Sequence, residues 1–355
     1  MGSILIKNGR VWDGDSFSVQ DILIRESRIA QISKNITADA DFIFDAAGKT
    51  VSAGLVDLHV HMRGVSPGAF GISGEMSCFP FGVTAACDAG AVAGDKTLLQ
   101  AFMLKSTVFP SVEIENNRTR FACTDRLLRA YGDKAAGIKV YFDAGSGHVK
   151  DITPLKEACT YARQNKLKVM VHCSGTPSSM AQIVETLSEG DILTHAFHGG
   201  TNSATADGFD CLRLARSKGV ILDAGFAGHI HTDFKVLQAA VAQDILPDTI
   251  STDITSYSAY KRGGRYGMTM CMSMARHLGM SQTDIFRAVT SAPAKAVGKE
   301  TEWGTLSVGR MADIAVLEYA DEGFDLTDKA GNRISSTQGY RCVLTVADGE
   351  IVYRR

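Results

Sequence analysis

The stretch from Gly54 to Gly64, GLVDLHVHMRG, is an apolar run that delivers His59, His61 and Arg63 at alternate positions. Side chains alternate along a strand, so all three face the same side. Imidazole is a common ligand for divalent metals, and a guanidinium grips a carboxylate with a two-pronged fork. One strand end could therefore hold a cation and an anionic substrate together. Four more apolar runs carry a chemically capable residue at or near their ends. Gly137-Ile138-Lys139-Val140 buries a lysine, 169–172 and 192–195 end in His172 and His195, and 250–253 ends in Asp253.

Each residue alone has a plainer use. A strand-end histidine is usually a hydrogen-bonded structural residue, Asp253 could cap the next helix, Lys139 could snorkel to water, and Arg63 could form a local ion pair. Together they form a set that needs elements to bring it to one place. The strand candidates are 55–61, 83–88, 137–142, 168–172, 192–195, 220–223 and 249–253, with an eighth at 112–114 or 120–122. Between them, 154–164, 178–187, 209–216 and 234–243 carry apolar residues at helical spacing. Apolar strands alternating with helices predict an α/β chain with a parallel sheet buried on both faces. About eight such repeats fit a (β/α)₈ TIM barrel, whose strand ends converge on one mouth. An open doubly wound sheet is the structural rival, and no G-x-G-x-x-G follows the first strand to support it.

The two ends of the chain read differently. Short strands with turn signals such as Lys7-Asn8-Gly9-Arg10 and Ala47-Gly48-Lys49 fill the first fifty or so residues, and Asp348-Gly349 marks a hairpin near the other end. This pattern predicts a small β-sandwich domain built from 1–52 and 300–355, flanking a hydrolase barrel over 53–299. The chain is 45% hydrophobic and 21% charged with a formal net charge of −2, which provides no field for nucleic acid or an anionic membrane surface. The N-terminus lacks the features of a signal peptide. The eight cysteines include no C-x-x-C pair, which suits free thiols in a cytoplasmic protein.

The ordered set resembles the amidohydrolase superfamily of metal-dependent hydrolases, in its dihydroorotase-like branch. The resemblance spans A-G-L-V-D-L-H-V-H, the later strand-end motifs, and the return 290–296 and 304–313 into the terminal strands. It implies two divalent metal ions, zinc first among the candidates. His59, His61 and Asp253 would bind one ion, His172 and His195 the other, and Lys139 would bridge them as a carbamate formed with carbon dioxide. It further implies a bridging hydroxide that attacks a carbonyl, with Asp253 as general base and then acid.

Substrate class is narrowed by three features. Arg63 falls where dihydroorotases carry a carboxylate-clamping arginine. Beyond it, Gly64-Val65-Ser66-Pro67-Gly68, the ending Asp88-Ala89-Gly90, and Leu193-Thr194-His195-Ala196-Phe197-His198-Gly199-Gly200 depart from dihydroorotases toward a deacetylase subgroup. In Gly228-His229-Ile230-His231, His229 is the candidate substrate contact; His198, His229 and His231 also allow a reading as loop histidines without a role. Asp88 could orient a ligand or close a turn. The basic loop 261–267 could cover the site or be an ordinary connection. The expected activity is cleavage of an acyl group, acetyl first, from the amide or ester of a small α-substituted carboxylate. The alternatives are a cyclic amide hydrolase of dihydroorotase or hydantoinase type, a nucleobase deaminase, and a non-catalytic barrel scaffold. The expected partner is a small carboxylate, with no nucleic acid or membrane; homo-oligomers are common among such barrels.

Overall fold

The structure is a computed structural model, and it describes residues 2–62, 70–91, 103–228, 230–261 and 265–355. The chain begins with β1 (Ile4–Trp12), β2 (Phe17–Arg25), β3 (Arg28–Ser33), β4 (Phe42–Asp45) and β5 (Thr50–Ala53). Lys7-Asn8-Gly9-Arg10 does not end a strand: β1 runs through it with a bulge between Ile6 and Gly9. Asn8 adopts φ +58° there, and its N–H donates to Asp21 at 2.8 Å. A Cβ on Gly9 would lie 2.4 Å from the Val51 side chain, so the bulge keeps a glycine where β1 meets β5.

The middle of the chain supplies β6 (Leu55–Val60), β7 (Val83–Ala91) and β8 (Lys105–Pro110), all parallel. A small antiparallel hairpin of β9 (Glu113–Glu115) and β10 (Arg118–Arg120) follows. Then β11 (Gly137–Tyr141), β12 (Lys168–His172), β13 (Ile192–Thr194) and β14 (Ile221–Asp223) form a second parallel sheet. Helices Thr153–Gln164, Met180–Thr186 and Asp210–Ser217 connect its strands, and Phe234–Val241 follows β14. Apolar residues on both faces of these strands are buried at 0% exposure, Val140, Val169, Val171 and Leu193 on one face and Met170 and Ile192 on the other. That is why the strands read as continuous apolar runs and not as alternating ones.

Two details differ from the sequence reading. The strand between β7 and β11 is Lys105–Pro110 and neither 112–114 nor 120–122, which fall at the small hairpin. Its first half, Lys-Ser-Thr, is polar, with Lys105 and Ser106 only partly buried, so it gives no apolar run. Residues 249–253 form no continuous ladder; isolated parallel bridges tie Thr249 to Asp223 and Ile254 to Val60. Likewise Val108 bridges Ala135 and Ser111 bridges Lys139, next to β8 and β11.

The chain ends with β15 (Ile314–Ala320), β16 (Phe324–Thr327), β17 (Arg333–Ser336), β18 (Gly339–Ala347) and β19 (Glu350–Arg354). β15 pairs antiparallel with β5, which joins both ends of the chain in one eight-stranded sheet of order β19-β18-β15-β5-β1-β2-β3, with β4 on β1. The Asp348-Gly349 signal is realised as the β18–β19 turn, with φ +49° and +80°. Ile22, Ile24, Val51, Ile314, Val316 and Leu344 from both termini share a core. All eight cysteines are free thiols, and every one except the partly exposed Cys123 is buried. Among the described residues no helix is long and apolar enough to cross a membrane.

Candidate metal centre

His59, His61, Lys139, His172, His195 and Asp253 all line one cavity of about 600 Å³. The elements bring them there simply. β6 carries His59 near its end with His61 just past it, β11 carries Lys139 at its centre, β12 ends at His172, and His195 follows β13. His195 and Asp253 both sit in the left-handed region, at φ +66° and +47°. Such a conformation is costly for a side-chain-bearing residue and tends to be kept where function requires it. Around Asp253 the backbone is held from three sides. The Asp253 N–H donates to the His59 carbonyl at 2.7 Å. The Tyr266 hydroxyl donates to the Thr252 carbonyl at 2.6 Å. Buried Asp57 accepts from both the N–H and the hydroxyl of Thr252, and burial pushes its own carboxyl up to about 7.

Hydrogen-bond accounting fixes which nitrogen of His59 and of His195 is the lone pair. Thr194 gives its hydroxyl proton to the Asp223 carboxylate at 2.7 Å, so its oxygen accepts from His59 Nδ1 at 3.0 Å. His59 Nε2 is then a lone pair. It lies 3.2 Å from Asp253 Oδ1 and 3.1 Å from Lys139 Nζ. His195 Nδ1 faces the Gly225 carbonyl at 2.7 Å, which can only accept, so Nδ1 carries the proton. His195 Nε2 is buried with no hydrogen-bond partner in the structure. Gly225 makes this possible: with φ +52°, a Cβ there would lie 2.5 Å from His195 Nδ1. His172 Nε2 lies 3.1 Å from the Ser174 carbonyl and 2.9 Å from the Ser174 hydroxyl.

Two acceptors facing each other at 3.2 Å, and an orphaned buried lone pair beside them, are stable only around positive charge. The donor set suits a divalent cation: neutral imidazole nitrogens and carboxylate oxygen. Burial holds the imidazoles of His59, His172 and His195 well below their usual range, which keeps them neutral and able to ligate. Burial also pulls the Lys139 ammonium down to about 8, against the opposing pull of Asp253 and Asp223. For Asp253, burial acts upward, but His59, His61 and His231 outweigh it and keep the carboxylate ionised. His61 Nε2 lies 2.9 Å from Asp253 Oδ1.

Donor atoms fall into two groups, each within 4.8 Å of one another: His59, His61 and Asp253, and His172, His195 and His231. His231 is a finding. The loop position offered no alternation rule, and the sequence reading favoured His229, which lies outside the described residues, as does Arg63. His231 Nδ1 is 2.7 Å from the Ser174 hydroxyl, and its Nε2 is 3.8 Å from Asp253 Oδ2. Thr194 and Asp223, which hold His59, were also missed; neither sits in a motif of its own. The basic loop 261–267 divides. Residues 262–264 lie outside the described residues, while Arg265 reaches away from the cavity to Glu322 at 3.5 Å. Gly90 stands at the wall, where a Cβ would lie 3.7 Å from Lys139 and 3.9 Å from His61. His148 and His277, assigned no role, do not line the cavity.

A family model described as the amidohydrolase family matches residues 50–352. A deacetylase of Enterococcus faecalis is 28% identical, covering 98% of this chain and 98% of its own. A deacetylase of Agrobacterium fabrum is 30% identical over 90% of this chain and 83% of its own. Among solved structures, one titled as a dihydroorotase matches with a TM-score of 0.85 at 27% identity, over 99% of both chains.

Proposed function

The chain belongs to the amidohydrolase family and is a hydrolase of C–N bonds; on that premise we propose that it removes an acyl group, acetyl first, from the amide or ester of a small α-substituted carboxylate. The observation that carries the metal-dependent part is the convergence of six donors on one cavity, with His59 and His195 each leaving Nε2 as the lone pair because Nδ1 donates outward. His59, His61 and Asp253 would hold one divalent ion, and His172 and His195 a second, with Lys139 between them as a carbamate; zinc suits this donor set. Bound there, the ions supply positive charge that polarises an acyl carbonyl and acidifies water.

The chain's own residues do the remainder. Asp253 takes the proton of the attacking water and returns it to the leaving nitrogen or oxygen. Its ionised state and the 3.8 Å separations of Oδ2 from His195 and His231 support this role. Lys139 can react with carbon dioxide only as the free amine, and its burial favours that form. Arg63 would hold the substrate carboxylate, with His229 as a further contact. The acyl preference is supported by the 193–200 motif and by relatives that carry the name deacetylase.

The same reading makes the parallel strands a (β/α)₈ barrel over 53–299 with a small β-sandwich domain of 1–52 and 300–355. The bridges at 249–254, 108–111 and 135–139 support the barrel, and the pairing of β5 with β15 supports a joint terminal domain. The test is acetate release from N-acetyl-amino acids and O-acetyl-2-hydroxy acids of both hands. The protein is loaded with zinc in bicarbonate, with dihydroorotate and hydantoin run alongside. Acetate from one hand, lost in Arg63→Met, is expected. An opened ring without acetate would replace this reading with a cyclic amide hydrolase.

A further inference from the structure

The two groups of donors are unequal in the reading above. His59, His61 and Asp253 supply three protein ligands to the first ion, whereas the second has only His172 and His195 until Lys139 has reacted with carbon dioxide. Two imidazoles fill half of a tetrahedral shell, and catalytic zinc sites have three protein ligands beside an open position. Lys139 Nζ lies beside the first group, 3.1 Å from His59 Nε2. His231, in the second group, has no role of its own in the mechanism.

The His231 ring stands about as close to the other two as they stand to each other. Its centroid is 4.1 Å from that of His195 and 4.9 Å from that of His172, and those two are 4.6 Å apart. His59 and His61, which share the first group, are 5.3 Å apart. Nε2 of His195 and Nε2 of His231 flank the same carboxylate oxygen, Asp253 Oδ2, each at 3.8 Å. The other His231 nitrogen, Nδ1, is 2.7 Å from the Ser174 hydroxyl, and a hydrogen bond of this kind orients a ligand histidine. The backbone beyond His231 is tied down. Thr232 bridges His198, its hydroxyl donates to the Ala224 carbonyl at 3.1 Å, and the Asp233 N–H donates to the Phe197 carbonyl at 3.1 Å. The His231 side chain is 19% exposed and lines the metal cavity, so an ion there can reach it.

We propose that His231 is a third protein ligand of the second ion, through Nε2, and that the chain holds this ion with three imidazoles and no carbamate. This rests on the metal-dependent reading and deepens it. Ser174 can serve two rings at once: its carbonyl is 3.1 Å from His172 Nε2 and its hydroxyl oxygen is 2.7 Å from His231 Nδ1, and each accepts one proton. That arrangement leaves His172 Nδ1 and His231 Nε2 as lone pairs. Three neutral imidazoles and a water complete a tetrahedral zinc site. The carbamate of Lys139 then couples the second ion to the first and is not what retains it.

The test uses the full chain carrying His61→Ala and Lys139→Ala, which takes a ligand from the first group and removes the lysine but leaves the second group whole. In buffer free of carbon dioxide this protein should hold one zinc ion, with an affinity read by competition against a chromophoric chelator. X-ray absorption should count three imidazoles on that ion. Adding His231→Ala should lower the affinity at least about 100-fold, beyond the about 10- to 100-fold cost of losing a group that only orients a ligand. The metal-free unfolding midpoints should coincide, which a merely structural histidine would not allow. An affinity within about 3-fold after His231→Ala, less than even an orienting group costs, would overturn the proposal, as would a count of two imidazoles. A double variant without zinc, beside a wild type that holds two ions in bicarbonate, would overturn it and leave the binuclear reading standing; a wild type without metal would remove both. If the double variant does not fold, His231→Ala alone decides in the same buffer: loss of one ion is expected, and two tightly held ions would overturn the proposal.

Discussion

Thr194→Val removes one hydroxyl from a chain of buried groups at almost constant volume, and its consequences can be worked out atom by atom. In the wild type Asp223 Oδ2 accepts from Thr194 and Ser251, each at 2.7 Å, and Thr194 accepts from His59 at 3.0 Å. The valine strands the His59 Nδ1–H and halves the donors on that carboxylate oxygen. A stranded buried donor costs about 1–3 kcal/mol, and a lost hydrogen bond to a charged group about 1.5–3 kcal/mol. Their sum, about 2.5–6 kcal/mol, is a large share of the ~5–15 kcal/mol that holds a typical domain folded. His59 can escape part of this by moving its proton to Nε2 and donating to Asp253 Oδ1, 3.2 Å away. That escape removes the inward lone pair, so metal affinity should fall by about 10- to 100-fold, as when other ligand-orienting partners are removed. Denaturant unfolding with metal chelated gives the first quantity, and competition for zinc against a chromophoric chelator gives the second. Unchanged stability together with a zinc affinity within about 2-fold of wild type would refute the tautomer assignment at His59.

Three further outcomes are expected. Asp253→Asn should keep bound metal yet lose about 10²–10⁴-fold in kcat; near-wild-type turnover would remove it from proton transfer. Lys139 titrates near about 8 in the folded chain against an ordinary 10.5, so between those values the unfolded chain binds more protons and stability rises with pH. With metal chelated and carbon dioxide excluded, wild type should therefore gain stability relative to Lys139→Met from about pH 8 to 10.5, and a flat difference would contradict the buried ammonium. The native protein should react quickly with Ellman's reagent at Cys123 alone, because burial pushes thiols such as Cys159 and Cys211 up to about 12; three or more fast thiols would show looser packing than described.

Much of this arrangement was legible before any coordinates because a parallel strand buried on both faces announces itself as an apolar run, and a polar residue at its end stands out. His172 and His195 were found in that way. The signal fails where burial is partial or pairing is non-local. Lys105–Pro110 begins with polar residues and was displaced to neighbouring segments. Residues 249–254 take their place through isolated bridges and backbone bonds, which no local pattern records. Asp223 ended a recognised strand candidate, but its role depends on hydroxyls from Thr194, Thr249 and Ser251. His231 lies in a loop, where alternation has no force, and the Lys7–Arg10 turn signal became a bulge because β1 continues beyond it to pair with β5.

The most direct measurement is the metal content of the purified protein by mass spectrometry, after dialysis against metal-free buffer, for wild type and Lys139→Ala side by side. Two divalent ions per chain in the wild type and at most one in Lys139→Ala would agree with a bridging lysine between the two groups of ligands. An acetate-releasing wild type that holds a single ion, or a Lys139→Ala protein that keeps both, would contradict the binuclear centre.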